Sequence, residues 1–251
     1  MPKFLITTAT GRQGTSTVRL LLAKGAEVNA LVRDPSSAAS LALQSMGATL
    51  FKGGFDDAET ILAAARAAGT VASVVVSTAS YTELHEDWSV VKADLPFLSQ
   101  FFISKSGAER AYFPEYMSSR VLTVSFTRDF RLDQIDAADV GQVAAAALLD
   151  PARFSGAEFT LGHEGLTLDE IAAHLSRTIG KEVTAKYRTA EETAEARKTT
   201  PMVEMQLWAP TLPRVEDAKL AEYGFRWTTF EEFLEREKSA IRKTVGIDIE
   251  A

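Results

Sequence analysis

Hydrophobic and polar positions in the first third of the chain repeat one pattern. Residues 3–8 (KFLITT) form a short apolar, β-branched run closed by Gly11, and residues 15–24 then place Val18, Leu21 and Leu22 at helical spacing before Gly25. This predicts a strand, a turn and a helix. The pattern returns as 27–32 (EVNALV) followed by 35–46, as 48–51 followed by 58–68, and as 71–77 (VASVVVS). Strands that are apolar on both faces and alternate with helices predict the α/β class, a doubly wound parallel sheet covered by helices on both sides.

The rhythm breaks after Ser77. Residues 88–95 (WSVVKADL) read as another strand, yet only residues 78–87 separate it from the one before, the lower limit of about 10–12 residues for a parallel crossover. The sheet is therefore expected to be abbreviated after its fourth strand. Farther on, 121–126 predicts a short strand and 137–149 (AADVGQVAAAALL) a helix, with Asp136 as its N-cap and Pro151 beyond its end. A further strand is expected at 156–161. Thr167 and Glu170 have capping-box spacing ahead of a helix at 168–179 that Gly180 ends. Residues 181–187 are strand-like and 190–198 polar and helical. Residues 199–213 carry three prolines among Met202, Met205, Leu207 and Trp208, the composition of a loop or short helix over an apolar surface. An amphipathic helix at 229–245, with Phe230, Phe233 and Leu234 on one face, closes the pattern.

Composition fits a folded chain: of 251 residues 46% are hydrophobic and 24% charged, enough for one large α/β domain or a domain with a small lobe. Cysteine is absent, which removes disulfides, thiolate metal sites and cysteine nucleophiles; His85, His163 and His174 lack the i, i+4 spacing of a helical metal site. No metal is expected. A formal charge of −7 weighs against direct nucleic-acid binding. The first residues hold no apolar stretch ending at a small-residue cleavage site, and no run reaches the roughly 18 apolar residues of a membrane span. A cytoplasmic protein without membrane contact is expected.

Chemistry concentrates in Thr8-Ala9-Thr10-Gly11-Arg12-Gln13-Gly14, directly after the first strand and before its helix. Glycines in such a turn let the backbone approach a pyrophosphate, and the N–H groups of the helix N-terminus then face the anion. Two of the usual three glycines are present, Gly11 and Gly14, with Thr8 at the first position. A tight strand–helix turn without a ligand accounts for a glycine pair by itself, but the strand-turn-helix setting favours a dinucleotide. Arg33 ends the second strand, where an acid would hold a ribose 2′-hydroxyl and an arginine pairs with a 2′-phosphate. NADP(H) is accordingly expected over NAD(H), with Arg12 as a second phosphate contact, while Asp34 keeps the 2′-hydroxyl alternative open.

The segments ATGRQG (9–14), ALVRD (30–34), GGFDD (53–57), IDAADVGQVAAAALLDPARFSG (135–156) and LTLDEIAAHLSRTIGKEV (166–183) resemble the NmrA-like family of atypical short-chain dehydrogenases, over most of the chain. The resemblance implies an NADP-binding Rossmann domain at 1–150 and a small C-terminal α+β lobe at 151–251, with strand 156–161 returning to the sheet. It also implies roles that range from reduction of small organic molecules to redox sensing without catalysis. By that resemblance Gly11, Arg12, Gln13, Gly14, Arg33, Phe55, Ser77, Thr78 and Ala79 line the cofactor, with Phe55 and Asp56 near the adenine. Thr8 and Thr10 complete the turn.

Members of the wider dehydrogenase class carry a Tyr-x-x-x-Lys pair for proton transfer, and none of the tyrosines at 81, 112, 116, 187 and 223 has a lysine four residues on. In relatives a lysine-bearing helix stands between strands like 71–77 and 88–95, and that block is missing here. Tyr81 and His85 form a substitute acid/base pair at i, i+4 spacing, although two exposed residues on a helix stub have the same spacing. Lys92 is a candidate to orient a substrate oxygen or to form a structural ion pair. Phe97, Phe101, Phe102 and Trp208 are candidates for an apolar substrate wall or for ordinary core. The expected function is NADPH-dependent reduction of a small, fairly apolar organic substrate. The alternatives are a non-catalytic NADP(H)-sensing regulatory protein and a non-redox isomerase or cyclase on a Rossmann scaffold. A sheet edge left by the abbreviation invites pairing with a second copy, so a homodimer is expected.

Overall fold

The computed structural model describes residues 2–54, 58–69, 75, 116–200, 202–212, 214–215 and 221–245. Apart from Val75, the strands expected at 71–77 and 88–95 lie outside these residues. The chain divides into two compact units, one from Met1–Thr78, Ile135–Phe159 and Phe225–Trp227, the other from Ala79–Gln134, Thr160–Gly224 and Thr228–Ala251.

In the first unit β1 (Lys3–Ile6), α1 (Arg12–Ala23), β2 (Glu27–Val32), α2 (Ala38–Ser45), β3 (Thr49–Lys52) and α3 (Ala58–Ala68) follow the predicted alternation. The sheet order is β1-β2-β3 and both pairings are parallel, with Ile6 opposite Ala30 and Val32 opposite Lys52. Side chains alternate across β2. Val28, Ala30 and Val32 join Val18 and Leu21 of α1 and Leu43 of α2 in one buried cluster. Asn29 turns the other way, and its side-chain amide donates to the Ala64 carbonyl of α3 at 3.4 Å. Helices thus cover both faces, as in a doubly wound sheet.

A second helix pair completes this unit. α5 (Ala137–Leu149) packs on α1 at Gly141, where a Cβ would stand 2.6 Å from Ser16 Cβ and 2.8 Å from the Gln13 carbonyl oxygen. The Ser16 hydroxyl donates to the Ala138 carbonyl at 2.9 Å across the same contact. α6 (Pro151–Phe154) follows, and Phe154 lies 6.0 Å from Phe159 and 6.3 Å from Phe225, ring centre to ring centre. The strand expected at 156–161 does not form. Phe159 packs on Phe154 instead of entering a ladder, and the strand of this region is β6 (His163–Leu166) in the second unit.

In the second unit α4 (Tyr116–Ser119) leads into β4 (Val121–Val124), which pairs in parallel with β7 (Thr184–Tyr187), while β5 (Leu132–Gln134) pairs antiparallel with β6. Leu122, Val124, Phe126, Leu168, Ile171 and Ile179 make its core, the last three of these on or beside α7 (Leu168–Ile179). α7, α8 (Ala190–Ala196) and α10 (Phe230–Thr244) each begin with a reciprocal Thr–Glu capping box, and α9 (Met202–Trp208) buries Met202, Val203 and Gln206. No helix among the described residues is long and apolar enough to cross a membrane.

Candidate functional site

Between β1 and α1 the backbone makes a turn that needs a left-handed residue. Thr8 supplies it with φ 49°, an uncommon conformation for a β-branched side chain, at the position where the usual phosphate turn has its first glycine. The Gly11 N–H donates to the Thr8 carbonyl at 2.9 Å, and the Thr15 hydroxyl donates back to the Ala9 carbonyl at 3.1 Å. Gly14 locks helix to turn, since a Cβ there would lie 2.4 Å from the Thr8 carbonyl oxygen.

The start of α1 differs from those of α5, α7, α8 and α10. Its N-cap is Gly11, no side chain caps it, and its first turn holds no acid. By contrast, the Asp136 carboxylate caps α5 and the Thr–Glu boxes cap α7, α8 and α10. First-turn N–H groups have no intrahelical acceptor, and together with the helix dipole they present positive charge to whatever faces them. Facing this region is a cavity of about 630 Å³, within the range of small-molecule sites. Thr8, Thr10 and Gly11 line it from the turn, Leu31, Val32 and Arg33 from the end of β2, and Gly53 and Gly54 from beyond β3.

Arg33 and Asp34 take different roles here. Arg12 and Arg33 are exposed, and Arg33 lines the cavity. The Asp34 carboxylate is engaged locally: Ser36 donates to its Oδ1 from the backbone N–H at 2.9 Å and from the hydroxyl at 2.6 Å. Those bonds, hydroxyl first, hold the Asp34 carboxyl below the ordinary aspartate range, and the Lys52 charge adds a weaker pull in the same direction. The Asp34 carbonyl accepts the Ser40 hydroxyl at 2.7 Å, which ties the same loop to α2.

Of the residues singled out in the sequence, Thr8, Thr10, Gly11 and Arg33 converge on one cavity, and Arg12, Gln13 and Gly14 form the adjoining first turn of α1. Phe55, Asp56, Ser77, Thr78, Ala79, Tyr81, His85, Lys92, Phe97, Phe101 and Phe102 lie outside the described residues. Trp208 is partly buried at the end of α9 in the second unit. That helix is anchored by Gln206, whose side-chain oxygen accepts the Ser125 N–H at 2.9 Å. Leu31 and Val32 enter the sequence reading only within the ALVRD segment, and Gly53 and Gly54 only within GGFDD. The glycine pair directly after a strand was their signal, and Gly53 is required there because a Cβ would meet Thr60 Cγ2 at 2.5 Å.

The helix-flanked parallel sheet and the turn at the end of β1 define a Rossmann-type α/β protein. The chain belongs to the NmrA-like family, whose sequence model matches residues 2–94 and 110–234. Among solved structures it is similar to NmrA, a negative transcriptional regulator in complex with NADP, at a TM-score of 0.66 and 18% identity over 99% of both chains. It is similar to isoflavone reductase at 0.59 and 18%, covering 94% of this chain and 99% of that one. It is also similar to the NADPH-dependent quinone oxidoreductase QOR2 from Escherichia coli complexed with NADPH, at 0.58 and 20%, covering 92% and 98%. At these identities the likeness shows the fold. Among curated proteins none matches the sequence.

Proposed function

We propose that the chain binds NADP(H) on the turn and first helix of its parallel-sheet unit and acts as an NADPH-dependent reductase of a small, fairly apolar organic substrate. The observation that carries this reading is the α1 N-terminus, without a side-chain cap, beside a cavity that Arg33 also lines. Helix N–H donors and a guanidinium are the donor set of a phosphate site. The Gly14 contact fits the same group, because a larger residue would push the helix start out of the cradle. Ser36 engages Asp34, so Arg33 is the group available to a 2′-phosphate, which supports NADP(H) over NAD(H). The NADP and NADPH complexes of NmrA and QOR2 support the same cofactor.

On this reading Arg12, Gln13 and Gly14 hold the phosphates through the first turn of α1, and Phe55 and Asp56 border the adenine. Ser77, Thr78 and Ala79 line the rest of the cofactor. NADPH, when bound, supplies a hydride. Tyr81, His85 or Lys92 passes the accompanying proton, and Phe97, Phe101, Phe102 and Trp208 keep water from an apolar substrate. A second reading, an NADP(H)-responsive regulator without turnover, is favoured by the lack of any Tyr-x-x-x-Lys in the sequence.

Calorimetric titration with NADPH, NADP and NAD, followed by NADPH oxidation assays over a panel of quinones and enones, tests both. The reductase reading expects NADP(H) at a Kd of about micromolar or tighter, weaker NAD, and substrate-dependent NADPH loss. Tight binding without turnover on any substrate assigns the regulator, and absence of dinucleotide binding overturns both.

A further inference from the structure

The site carries a charge of the wrong sign for the phosphate assigned to it. Asp34 directly follows Arg33, and a carboxylate at this point of the fold repels a 2′-phosphate and suits a ribose 2′-hydroxyl. Two features of the fold act against that charge. The Ser36 N–H and hydroxyl fix the carboxylate in the loop before α2. Lys52 is the second feature, and it comes from a distant part of the sequence.

β2 and β3 run in parallel register with Val32 opposite Lys52. The Gly53 N–H then donates to the Val32 carbonyl at 2.9 Å, so the pairing continues to the residue before Arg33. Register therefore brings Lys52 beside the Arg33–Asp34 step, where its charge acts on the Asp34 carboxylate. The next two residues, Gly53 and Gly54, line the cavity together with Arg33. Lys52 is exposed, so a substitution there leaves the core untouched. Arg33, Asp34 and Lys52 together hold one net positive charge, and without Lys52 they hold none.

We propose that Lys52 is a positioning residue for cofactor choice: set by the β2–β3 register, it offsets the Asp34 charge and so lets Arg33 accept the 2′-phosphate of NADP(H). The inference rests on the NADP(H) reading above. It assigns Lys52 an effect that depends on Asp34, and a double-mutant cycle isolates such a dependence.

NADPH and NADH are titrated into wild type, Lys52→Gln, Asp34→Asn and the double variant at low ionic strength, where exposed charges are least screened. Asparagine keeps one oxygen acceptor for Ser36 at nearly the same volume and removes the charge. Lys52→Gln is expected to weaken NADPH roughly three- to tenfold while NADH changes by less than about twofold. Adding Asp34→Asn restores NADPH affinity to within about twofold of wild type, and high salt shrinks the Lys52→Gln effect. Equal losses for the two dinucleotides, or an NADPH loss that Asp34→Asn does not recover, overturns the inference. A wild type that binds NADPH and a Lys52→Gln variant that binds it equally overturn this inference alone. A wild type that binds neither dinucleotide brings down the NADP(H) reading itself.

Discussion

Replacing Gly14 by alanine puts the packing of turn on helix to a direct test. The added Cβ would stand 2.4 Å from the Thr8 carbonyl oxygen, 2.8 Å from Ala9 Cα and 3.0 Å from the Thr8 carbonyl carbon. All three are backbone atoms, so no rotamer change relieves the overlap. Ordinary contact begins near 3.4 Å, and the start of α1 must retreat from the turn by about 1 Å to reach it. Overpacking of this kind costs ~1–3 kcal/mol, and better helix propensity returns at most ~1 kcal/mol. A net loss of about 1–2 kcal/mol follows, which for a chain of this size lowers Tm by roughly 2–8 °C. Binding suffers separately. A retreat of about 1 Å exceeds the ~0.5 Å tolerance of a preorganised site, so NADPH affinity is expected to fall more than about tenfold. Denaturant unfolding followed by circular dichroism gives the first quantity and calorimetry the second. For stability alone Gly11→Ala is the internal control, because its Cβ would meet only the Thr8 carbonyl oxygen, at 3.2 Å. A Gly14→Ala protein as stable as wild type, or one that binds NADPH equally well, refutes the reasoning.

Arg33→Ala is expected to cost about 1.5–3 kcal/mol of NADPH binding, the range of a charge-assisted contact, with NADH affinity and Tm unchanged; equal losses for both dinucleotides would remove Arg33 from the 2′-phosphate. Thr8→Gly relieves the left-handed conformation at φ 49°, and set against the added chain entropy of glycine it should raise stability by up to about 1 kcal/mol in denaturant titrations. A destabilised variant would mean that the Thr8 side chain contributes more than its backbone strain costs. Burial, followed by the hydrogen bond to Asp169, pushes the Tyr187 phenol from 10.0 up to about 12. The folded value lies above the unfolded one, so the stability Tyr187 confers is complete below pH 10 and fades as pH rises towards 12. Unfolding of wild type and Tyr187→Phe measured across that window should show the steeper decline in wild type, and parallel declines would contradict the assignment.

Local rules carried much of the fold. The helix expected at 137–149 is Ala137–Leu149, and the Asp136 carboxylate accepts the Ala138 N–H at 2.9 Å as its cap. Thr167, Glu170 and Gly180 play the start and stop roles their spacing announces, with Gly180 at φ 70°. Each of these signals lies within one turn of the element it controls. The failure at 156–161 has the opposite origin. Its alternation suits a strand, but Phe159 is taken up by Phe154, while His163–Leu166 becomes a strand despite a glycine and a left-handed Glu164 because Leu132–Gln134 lies opposite. The site divides along the same line. The turn from Thr8 to Gly14 is contiguous and Arg33 sits at a strand end, so both were legible. Gly54 and Lys52 reach the site only through the pairing of β2 with β3, and the Ser36 bonds that engage Asp34 depend on how one loop closes.

The first helix of this chain starts on a residue with no side chain to cap it, and a good cap is worth ~1 kcal/mol. An anion seated there therefore does for α1 what Asp136 does for α5, and the ligand becomes a structural component of the protein. Mass action adds about 2.7 kcal/mol when a ligand stands at 100 times its Kd. Cellular proteases degrade the opened chain, so a change of this size alters steady-state abundance several-fold. The amount of this protein in a cell would then follow the supply of its dinucleotide, a readout of nucleotide status that needs no catalytic turnover.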